Sequence, residues 1–353
     1  MRREVLCTRA DPVKIITAMS TTMPNPYEIP SIRRQLYNPT KLIARLTSYL
    51  FSLLHSSHKT NLNITVICIS DTHTLIPTFI PPGDILIHAG DLTNAGTPAE
   101  LQAQIDHLAS LPHRYKIAIA GNHDTYLDPA SRKTLSPADQ AGSVDWKDII
   151  YLQNSSTTLD FSDRTSRSHG RVKVFGSPHV PLVGGPEHAF QYPREEDMWT
   201  GKIPQDADIV VTHGPPRFHL DLPGVQAMGD RFLLREVRRT KPLLHVFGHI
   251  HAGRSDALGI LRGGQESVRW DESERALAVV LDKESSESVW GLVSSWKNVV
   301  DCYHLLIFVV SGILALLQDR IFGYKVPSTR MVNAALTYCN TGKLGNKPQV
   351  VEL

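Results

Sequence analysis

The chain has 353 residues, 41% of them hydrophobic, and a formal net charge of +2 at pH 7. This length fits one large domain with extensions or two small domains, and the apolar content is ample for a buried core. The low net charge argues against a protein that binds nucleic-acid polymers through bulk electrostatics.

Residues 1–60 are predicted to be an N-terminal extension. No apolar stretch of signal-peptide length follows Met1, and the four cysteines are scattered without a C-x-x-C pair, so a cytoplasmic protein is expected. Residues 41–54 carry apolar side chains at helical spacing, with Lys41 and Arg45 among them. A helix is expected here, either packed on the domain or in contact with a membrane surface or a partner.

Five apolar runs of strand length are each followed by polar residues. The runs are 63–69, 84–89, 115–120, 208–212 and 243–247, and they lead into Ser70-Asp71-Thr72-His73, Gly90-Asp91, Gly121-Asn122-His123-Asp124, His213-Gly214 and Gly248-His249-Ile250-His251. Each motif alone is also typical of an ordinary turn. Because ligands bind outside the carboxyl ends of strands in open α/β sheets, the joint occurrence predicts one shared site.

The residue types indicate a metal site. Asp, Asn and His supply oxygen and nitrogen ligands without thiolate, which suits Mn, Fe, Zn or Mg. Asp91 is the natural bridge, since one carboxylate offers an oxygen to each of two ions. Two ions about 3.5–4 Å apart can share a hydroxide and clamp both oxygens of an in-line phosphoryl displacement. His123 follows Asn122, so its ring can reach a substrate as a general acid.

The motif series, over roughly residues 63–255, resembles the calcineurin-like metallophosphoesterase superfamily. The resemblance implies an α/β fold in which two mixed β-sheets pack face to face and are flanked by helices. It also implies His123 as proton donor, with Asn122 and His123 contacting the substrate. The implied ligands are Asp71, His73, Asp91 and His251 for one metal, and Asp91, Asn122, His213 and His249 for the second.

Departures from the family pattern narrow the subfamily. Protein phosphatases of the superfamily continue the second motif as G-D-x-x-D-R-G, whereas residues 90–96 lack that Asp and Arg, so a phosphoprotein substrate is not favoured. Residues 90–93, 176–178 and 212–216, with the tail at 332–335 and 346–351, are similar to the small metallophosphoesterase-domain-containing subfamily. That resemblance implies a phosphodiesterase acting on small or cyclic nucleotides, with Mn favoured over Fe, Zn or Mg.

The remaining elements are predicted from local pattern. Thr97-Pro98-Ala99-Glu100 opens a helix to about Leu111. We expect short strands within 148–159 and 171–175, a loop at 180–204 that walls the substrate pocket, a helix over 230–239, a strand of the second sheet at 276–281 and a strand at 331–338. Arg217 and His219 lie close to His213 in sequence, and either substrate contact or a loop role fits them.

The long apolar segment 299–317 raises the question of a membrane. It is shorter than the ~20 residues of a comfortable span, and a core strand follows it, so a helix lying on the domain or on a membrane surface is expected rather than a transmembrane helix. With residues 41–54 it would form a peripheral membrane patch. The expected organisation is an extension at 1–60, the core at 61–290, an apolar helical insertion at 291–325 and a returning strand and tail at 326–353.

The predicted function is hydrolysis of a small phosphoester by a hydroxide that bridges two divalent metal ions. A phosphodiester is favoured over a phosphomonoester. Two alternatives remain, a scaffold of the same fold without turnover and a slow metal- and nucleotide-binding regulator. All seven predicted metal ligands are present, which argues against the scaffold.

Overall fold

The computed structural model describes residues 39–54, 62–163, 170–182, 189–221, 227–254, 264–282, 296–323, 326–338 and 341–353. Its helices are α1 (Pro39–Leu54), α2 (Pro98–Ala109), α3 (Pro137–Gln140), α4 (Arg231–Thr240), α5 (Glu272–Asp282) and α6 (Trp296–Phe322), with 3-10 turns at Thr125–Leu127, Ser131–Thr134 and His251–Arg254. Its strands are β1 (Thr65–Ile69), β2 (Ile85–Ala89), β3 (Tyr115–Ile119), β4 (Ile149–Tyr151), β5 (Ser155–Asp160), β6 (Arg171–Ser177), β7 (Val180–Pro181), β8 (Gln191–Tyr192), β9 (Ile209–Thr212), β10 (Leu244–Phe247), β11 (Gln265–Arg269), β12 (Ser328–Asn333) and β13 (Gln349–Glu352).

Two mixed sheets form the body of the described chain. The first has the order β13-β1-β2-β3-β4, and the second has the order β11-β12-β10-β9-β6-β5. In the first sheet β1 to β4 are parallel and β13 is an antiparallel edge. In the second, β6, β9, β10 and β12 are parallel, and the edge strands β5 and β11 are antiparallel.

The hydrophobic core lies between the sheets. Val66 and Ile87 of the first sheet belong to the same buried cluster as Val211, Val246 and Val332 of the second. Helix α2 covers the outer face of the first sheet, and α4 covers part of the outer face of the second. The fold is therefore the expected α/β arrangement of two face-to-face mixed sheets flanked by helices.

Local capping explains two helices that the sequence predicts correctly. The hydroxyl of Thr97 accepts from the backbone N–H of Glu100 at 3.3 Å, and the Glu100 carboxylate accepts from Ala95 and Gly96. At α4 the Asp230 carboxylate accepts from the backbone N–H of Leu233 at 2.8 Å. Both caps satisfy backbone donors that the first helical turn leaves without partners.

The strand predicted at 276–281 is wrong, because these residues belong to helix α5. The buried residues Ala276, Leu277, Val280 and Leu281 recur at helical spacing rather than in alternation. The Asp271 carboxylate accepts from the backbone N–H of Ser273 at 3.0 Å, which fixes the start of the helix. The strand predicted at 331–338 lies instead at Ser328–Asn333, and isolated bridges replace it beyond Asn333.

The predicted helix at 41–54 is α1, and it packs with α5 and α6 in a separate apolar cluster around Phe308 and Leu277. Helix α6 is longer than the apolar segment 299–317 suggested. Its stretch Cys302–Phe322 has 21 residues and is, by length and composition alone, long and apolar enough to cross a membrane. Of the predicted N-terminal extension, residues 1–38 and 55–60 lie outside the described part of the chain.

Candidate metal centre

The loops that follow β1, β2 and β10 carry backbone conformations that L-residues rarely adopt. The φ angles are +54° at Asp71, +54° at Asp91 and +64° at His249. Such conformations cost free energy and concentrate at functional sites. Two positions beside these loops require glycine because there is no room for a side chain. A Cβ at Gly121 would collide with Asp91, and a Cβ at Gly248 would collide with Asp71.

One cluster contains Asp71, His73 and His251. Each offers a ligand atom, and these three atoms lie within 4.8 Å of one another. The Nε2 atom of His251 is 3.2 Å from Oδ1 of Asp71, and Nε2 of His73 is 3.8 Å from Oδ2 of Asp91. This is the group that the resemblance implies for the first metal, with Asp91 at its border.

A second cluster contains Asp91, His213 and His249, again with ligand atoms within 4.8 Å of one another. Nε2 of His213 lies 3.3 Å from Oδ2 of Asp91 and 3.0 Å from Oδ1 of Asn122. Asp91 therefore lies between the two clusters, in the position expected of a bridging ligand, and Asn122 joins the second.

The donor set fits a pair of cations. Nδ1 of His213 is 2.9 Å from the carbonyl oxygen of Ala89, which can only accept, so Nδ1 carries a hydrogen and Nε2 is the atom that offers a lone pair once a cation displaces its proton. That lone pair and the oxygens of Asp91 and Asn122 face one another, an arrangement that a metal ion would stabilise. Nε2 of His249 and Nδ1 of His73 are buried without a hydrogen-bond partner, which fits ring nitrogens of a metal site.

The electrostatics agree with a site built for positive charge. Burial alone would lower the pKa of His213, but the Asp91 carboxylate outweighs it and raises this pKa to about 9. Burial, and then the charge of His213, lowers the pKa of His249 to about 3, so that ring is neutral and ready to act as a ligand. The carboxylates of Asp71 and Asp91 both have lowered pKa values, because the neighbouring histidines outweigh the effect of burial.

His123 lies beside the first cluster, and with His73 and Asp91 it forms a third group whose ligand atoms lie within 4.8 Å of one another. Its ring centroid is 4.7 Å from that of His73, and its backbone N–H donates to Oδ1 of Asp91 at 2.9 Å. The Nδ1–H donates to the carbonyl oxygen of Asn94 at 3.1 Å, which fixes the orientation of the ring. This position is consistent with the predicted role at the leaving group.

Asp124 is a structural residue of the site for which the sequence alone predicts no role. Its buried carboxylate accepts from the backbone N–H groups of Gly121, Leu92 and Thr93 at 2.8, 3.3 and 3.0 Å, and from the Thr93 hydroxyl at 2.7 Å. Because these groups come from two loops, Asp124 holds the Asp91 loop against the Asn122 loop. Its place in the Gly121-Asn122-His123-Asp124 motif was the available signal.

The C-terminal residues hold the remaining loops. The amide nitrogen of Asn333 donates to the carbonyl oxygens of Ile250 at 2.9 Å and Leu220 at 3.1 Å, and so supports the chain between His249 and His251. The Thr337 hydroxyl donates to the carbonyl oxygen of Asp71 at 2.6 Å. Residues near the C-terminus therefore support the loops of the site. These contacts join residues far apart in sequence, so local patterns do not predict them.

The predicted wall of the pocket borders the site. In the described part of residues 180–204, the backbone N–H of Ala189 donates to the carbonyl oxygen of Asn122 at 3.3 Å. Nη1 of Arg194 donates to the carbonyl oxygen of Met228 at 2.8 Å, and Met228 packs on Ile250. Nε and Nη2 of Arg194 are buried without a hydrogen-bond partner, so this guanidinium has donors available for an anion.

The structure places Arg217 and His219 with other partners. Arg217 forms an ion pair with Asp282 of α5 at 2.8 Å. The buried ring of His219 lies between two carboxylates, with Nδ1 2.8 Å from Glu266 and Nε2 3.8 Å from Glu274. Because both ring nitrogens face carboxylates, the loop role fits His219 better than the substrate contact considered for it.

Comparison with known proteins agrees with this geometry. The family described as "Calcineurin-like phosphoesterase" matches residues 64–253, which is more than half of the chain and includes both clusters. The chain belongs to the calcineurin-like phosphoesterase family. The family is metal-dependent, so the two clusters of this family member are its candidate sites for divalent ions.

Curated relatives place the chain near small proteins of this family. It is 38% identical to Metallophosphoesterase domain-containing protein 1 of Homo sapiens over 202 residues, covering 53% of this chain and 60% of that protein. It is 35% identical to UPF0046 protein K07C11.7 of Caenorhabditis elegans over 208 residues, which cover 57% of this chain and 67% of that protein. The expected similarity to the small metallophosphoesterase-domain-containing proteins is therefore confirmed.

A further relative carries a different name. The chain is 46% identical over 222 residues to "Probable rhamnogalacturonate lyase C" of Emericella nidulans, covering 63% of this chain but 19% of that protein. The chain thus spans about a fifth of that protein and three fifths of the human protein. The names of these whole proteins do not transfer an activity to this chain.

Proposed function

We propose that the protein is a metal-dependent phosphodiesterase whose substrate is a small or cyclic nucleotide. The observation that carries the proposal is the arrangement of two ligand clusters around one carboxylate, Asp91, with His123 at their border. Mn is the favoured metal, since the ligands are carboxylate, amide and imidazole without thiolate. The preference for a diester is supported by the resemblance to the small metallophosphoesterase-domain-containing proteins.

The bound ions would supply charge stabilisation on the phosphoryl oxygens and activation of a water molecule. The protein supplies orientation and a proton. The carbonyl oxygen of Asn94 holds Nδ1 of His123, so the protonated ring presents its other N–H, on Nε2, to a leaving oxygen. Asp124 keeps the loops of Asp91 and His123 at a fixed separation while the charge on the substrate changes.

The test is a leaving-group series of phosphodiesters and phosphomonoesters, measured with Mn on wild type and on His123→Ala. A nitrophenolate leaves without help, whereas an alkoxide needs a proton, so we expect the loss of kcat/KM in His123→Ala to grow with the pKa of the leaving group. His304→Ala, on helix α6 and outside the ligand clusters, is the matched control and should retain the wild-type rate.

Two outcomes would contradict the proposal. Equal losses across the series would assign His123 to phosphate binding alone. Metal binding without turnover on any ester of the series would favour the alternative of a metal- and nucleotide-binding regulatory protein with the same fold.

A further inference from the structure

Helix α6 presents a continuous apolar stripe to the outside of the molecule. The exposed side chains recur at helical spacing along one face, at Leu306, Val310, Ile313, Leu314, Leu317 and Ile321. Helix α1, which packs beside α6, adds exposed Ile43, Leu50 and Leu54. Together these nine side chains form the α1/α6 face. An exposed apolar surface of this kind marks an interaction site.

The opposite side of α6 is fixed to the domain. Phe308 and Ala315 are buried, and the rings of Phe308 and Phe51 of α1 meet edge to face with centroids 5.6 Å apart. Near the end of the helix, Asp319 lies 3.8 Å from Arg269 of β11. The opposite face of α6 is therefore fixed to the domain, and within the apolar 18-residue window of Cys302–Phe322 only 11% of the residues are buried.

The connections of α6 oppose a transmembrane arrangement. The chain enters β12 at Ser328, and the link from Phe322 reaches about 22 Å when fully extended, less than the ~30 Å of a hydrocarbon core. On the other side, the sequence between α5 and α6 contains Lys283, Glu284 and Glu287, charged residues that are costly to place in a hydrocarbon core. Since α5 and β12 both belong to the folded domain, these connections fit a helix that stays on one side of a membrane better than a helix that crosses it.

The chemistry of the stripe favours lipid over a protein partner. Between Leu305 and Leu317 the one polar side chain is Ser311, and its hydroxyl donates to the carbonyl oxygen of Ile307 at 2.6 Å within the helix. A protein interface carries about one hydrogen bond per 100–200 Å² and a polar rim. The acyl region of a bilayer requires no such partners, and an apolar helix face of this length suits it.

A basic cavity lies next to the end of α6. It has a volume of about 350 Å³, and its lining includes Arg235, Arg238, Arg239, Lys241 and Arg275, with Asp271. Nε of Arg269 lies 3.1 Å from Asp271 of this cavity, while the same guanidinium faces Asp319 of α6. The lining carries five basic side chains against one acidic side chain, a balance that favours anionic headgroups. Four of the five, Arg235, Arg238, Arg239 and Arg275, also pair with an acid outside the lining.

We propose that the α1/α6 face docks the protein on an anionic phospholipid bilayer, with the apolar stripe in the acyl boundary and the basic cavity at the headgroups. The test uses the purified full-length protein and vesicles of phosphatidylcholine alone or with about 30% phosphatidylserine. We expect binding to the mixed vesicles and weaker binding to the neutral ones, with the difference reduced by high salt.

Two matched variants isolate the stripe. Leu317→Glu changes a side chain that is 47% exposed on α6, and Leu182→Glu changes one that is 48% exposed elsewhere. We expect Leu317→Glu to lower vesicle affinity about tenfold or more, because a charge enters the acyl boundary, and Leu182→Glu to leave it unchanged. Circular dichroism and thermal unfolding check the fold, and Leu314→Gln replaces Leu317→Glu if the latter does not fold.

A second pair tests the basic cavity. Lys241→Asn removes a positive charge, and asparagine tolerates the left-handed φ of +52° at this position. Arg275→Gln removes a second, exposed positive charge. Each should weaken binding to the anionic vesicles about fivefold and leave binding to neutral vesicles unchanged.

Four results would overturn the proposal. The first is no binding to either kind of vesicle, and the second is equal binding by Leu317→Glu and Leu182→Glu. The third is a dimer that forms without lipid and that Leu317→Glu dissociates, because the occupant would then be a second copy of the chain. The fourth is resistance to extraction by carbonate from cell membranes, which would indicate a true span.

Discussion

Replacement of Asp124 tests whether one buried carboxylate holds the two central loops of the site together. Asp124→Ala removes the acceptor for the backbone N–H groups of Gly121, Leu92 and Thr93. In Asp124→Asn the amide oxygen can still accept from Gly121 and Leu92, while the amide nitrogen can donate to the Thr93 hydroxyl. Only the N–H of Thr93 then lacks an acceptor.

Both variants lose the negative charge of Asp124, so the difference between their unfolding free energies does not contain the effect of that charge. Burial, and then the charge of Asp91, raises the pKa of Asp124 to about 6, so any neutral replacement removes a buried charge at pH 7. Alanine leaves two more buried N–H groups unsatisfied than asparagine does. At about 1–3 kcal/mol for each, Asp124→Ala should be about 2–6 kcal/mol less stable than Asp124→Asn.

The assay is urea unfolding of both variants at pH 7 in the presence of a chelator, so that metal binding does not contribute. Metal content of the two proteins without chelator provides a second measurement, and we expect the asparagine variant to retain more. A difference in unfolding free energy below about 1 kcal/mol would refute the inference that Asp124 organises these loops.

Two further predictions concern His219 and Arg194. Burial alone would lower the pKa of His219, but Glu266 and Glu274 raise it to about 9, so its stabilising contribution, about 3 kcal/mol at most, should be full below pH ~6.5 and lost as the pH rises to about 9. In urea unfolding, the difference in unfolding free energy between wild type and His219→Gln should therefore shrink as the pH rises from about 6.5 to about 9. A difference that stays constant with pH would contradict this. Arg194→Ala should raise KM more than it lowers kcat, whereas Arg231→Ala, at an exposed ion pair, should change neither.

The grouping of five of the site residues could be predicted from the sequence because each lies within three residues of the end of a buried strand. Asp71, Asp91 and Asn122 come together because β1, β2 and β3 are parallel neighbours, and His213 and His249 because β9 and β10 are. The face-to-face packing of the two sheets then brings the two groups to one edge. The spacing within each motif carries this information. Most of the sheet and the two capped helices follow from similarly local signals.

Other features depended on contacts that no local pattern encodes. Sequence proximity to His213 suggested substrate contact for Arg217 and His219, yet the chain turns there through φ angles of +74° at Phe218 and +52° at Leu220, and His219 comes to lie between Glu266 and Glu274. The support given by Asn333 and Thr337 comes from residues far along the chain.

The error at α5 has a different origin. The run at 276–281 is short, apolar and rich in valine and leucine, so it is ambiguous between a strand and a buried helical segment. The spacing of its buried residues and the cap at Asp271 resolve the ambiguity, and both lie partly outside the run.

The most direct test of the metal centre is the metal content of purified wild type, Asp91→Ala and His251→Ala, measured by mass spectrometry after loading with Mn and removal of free ions. Because Asp91 lies between both clusters and His251 belongs to one, we expect about two equivalents in wild type, about one in His251→Ala and close to none in Asp91→Ala. Two full equivalents in Asp91→Ala would contradict the assignment of a shared bridging carboxylate.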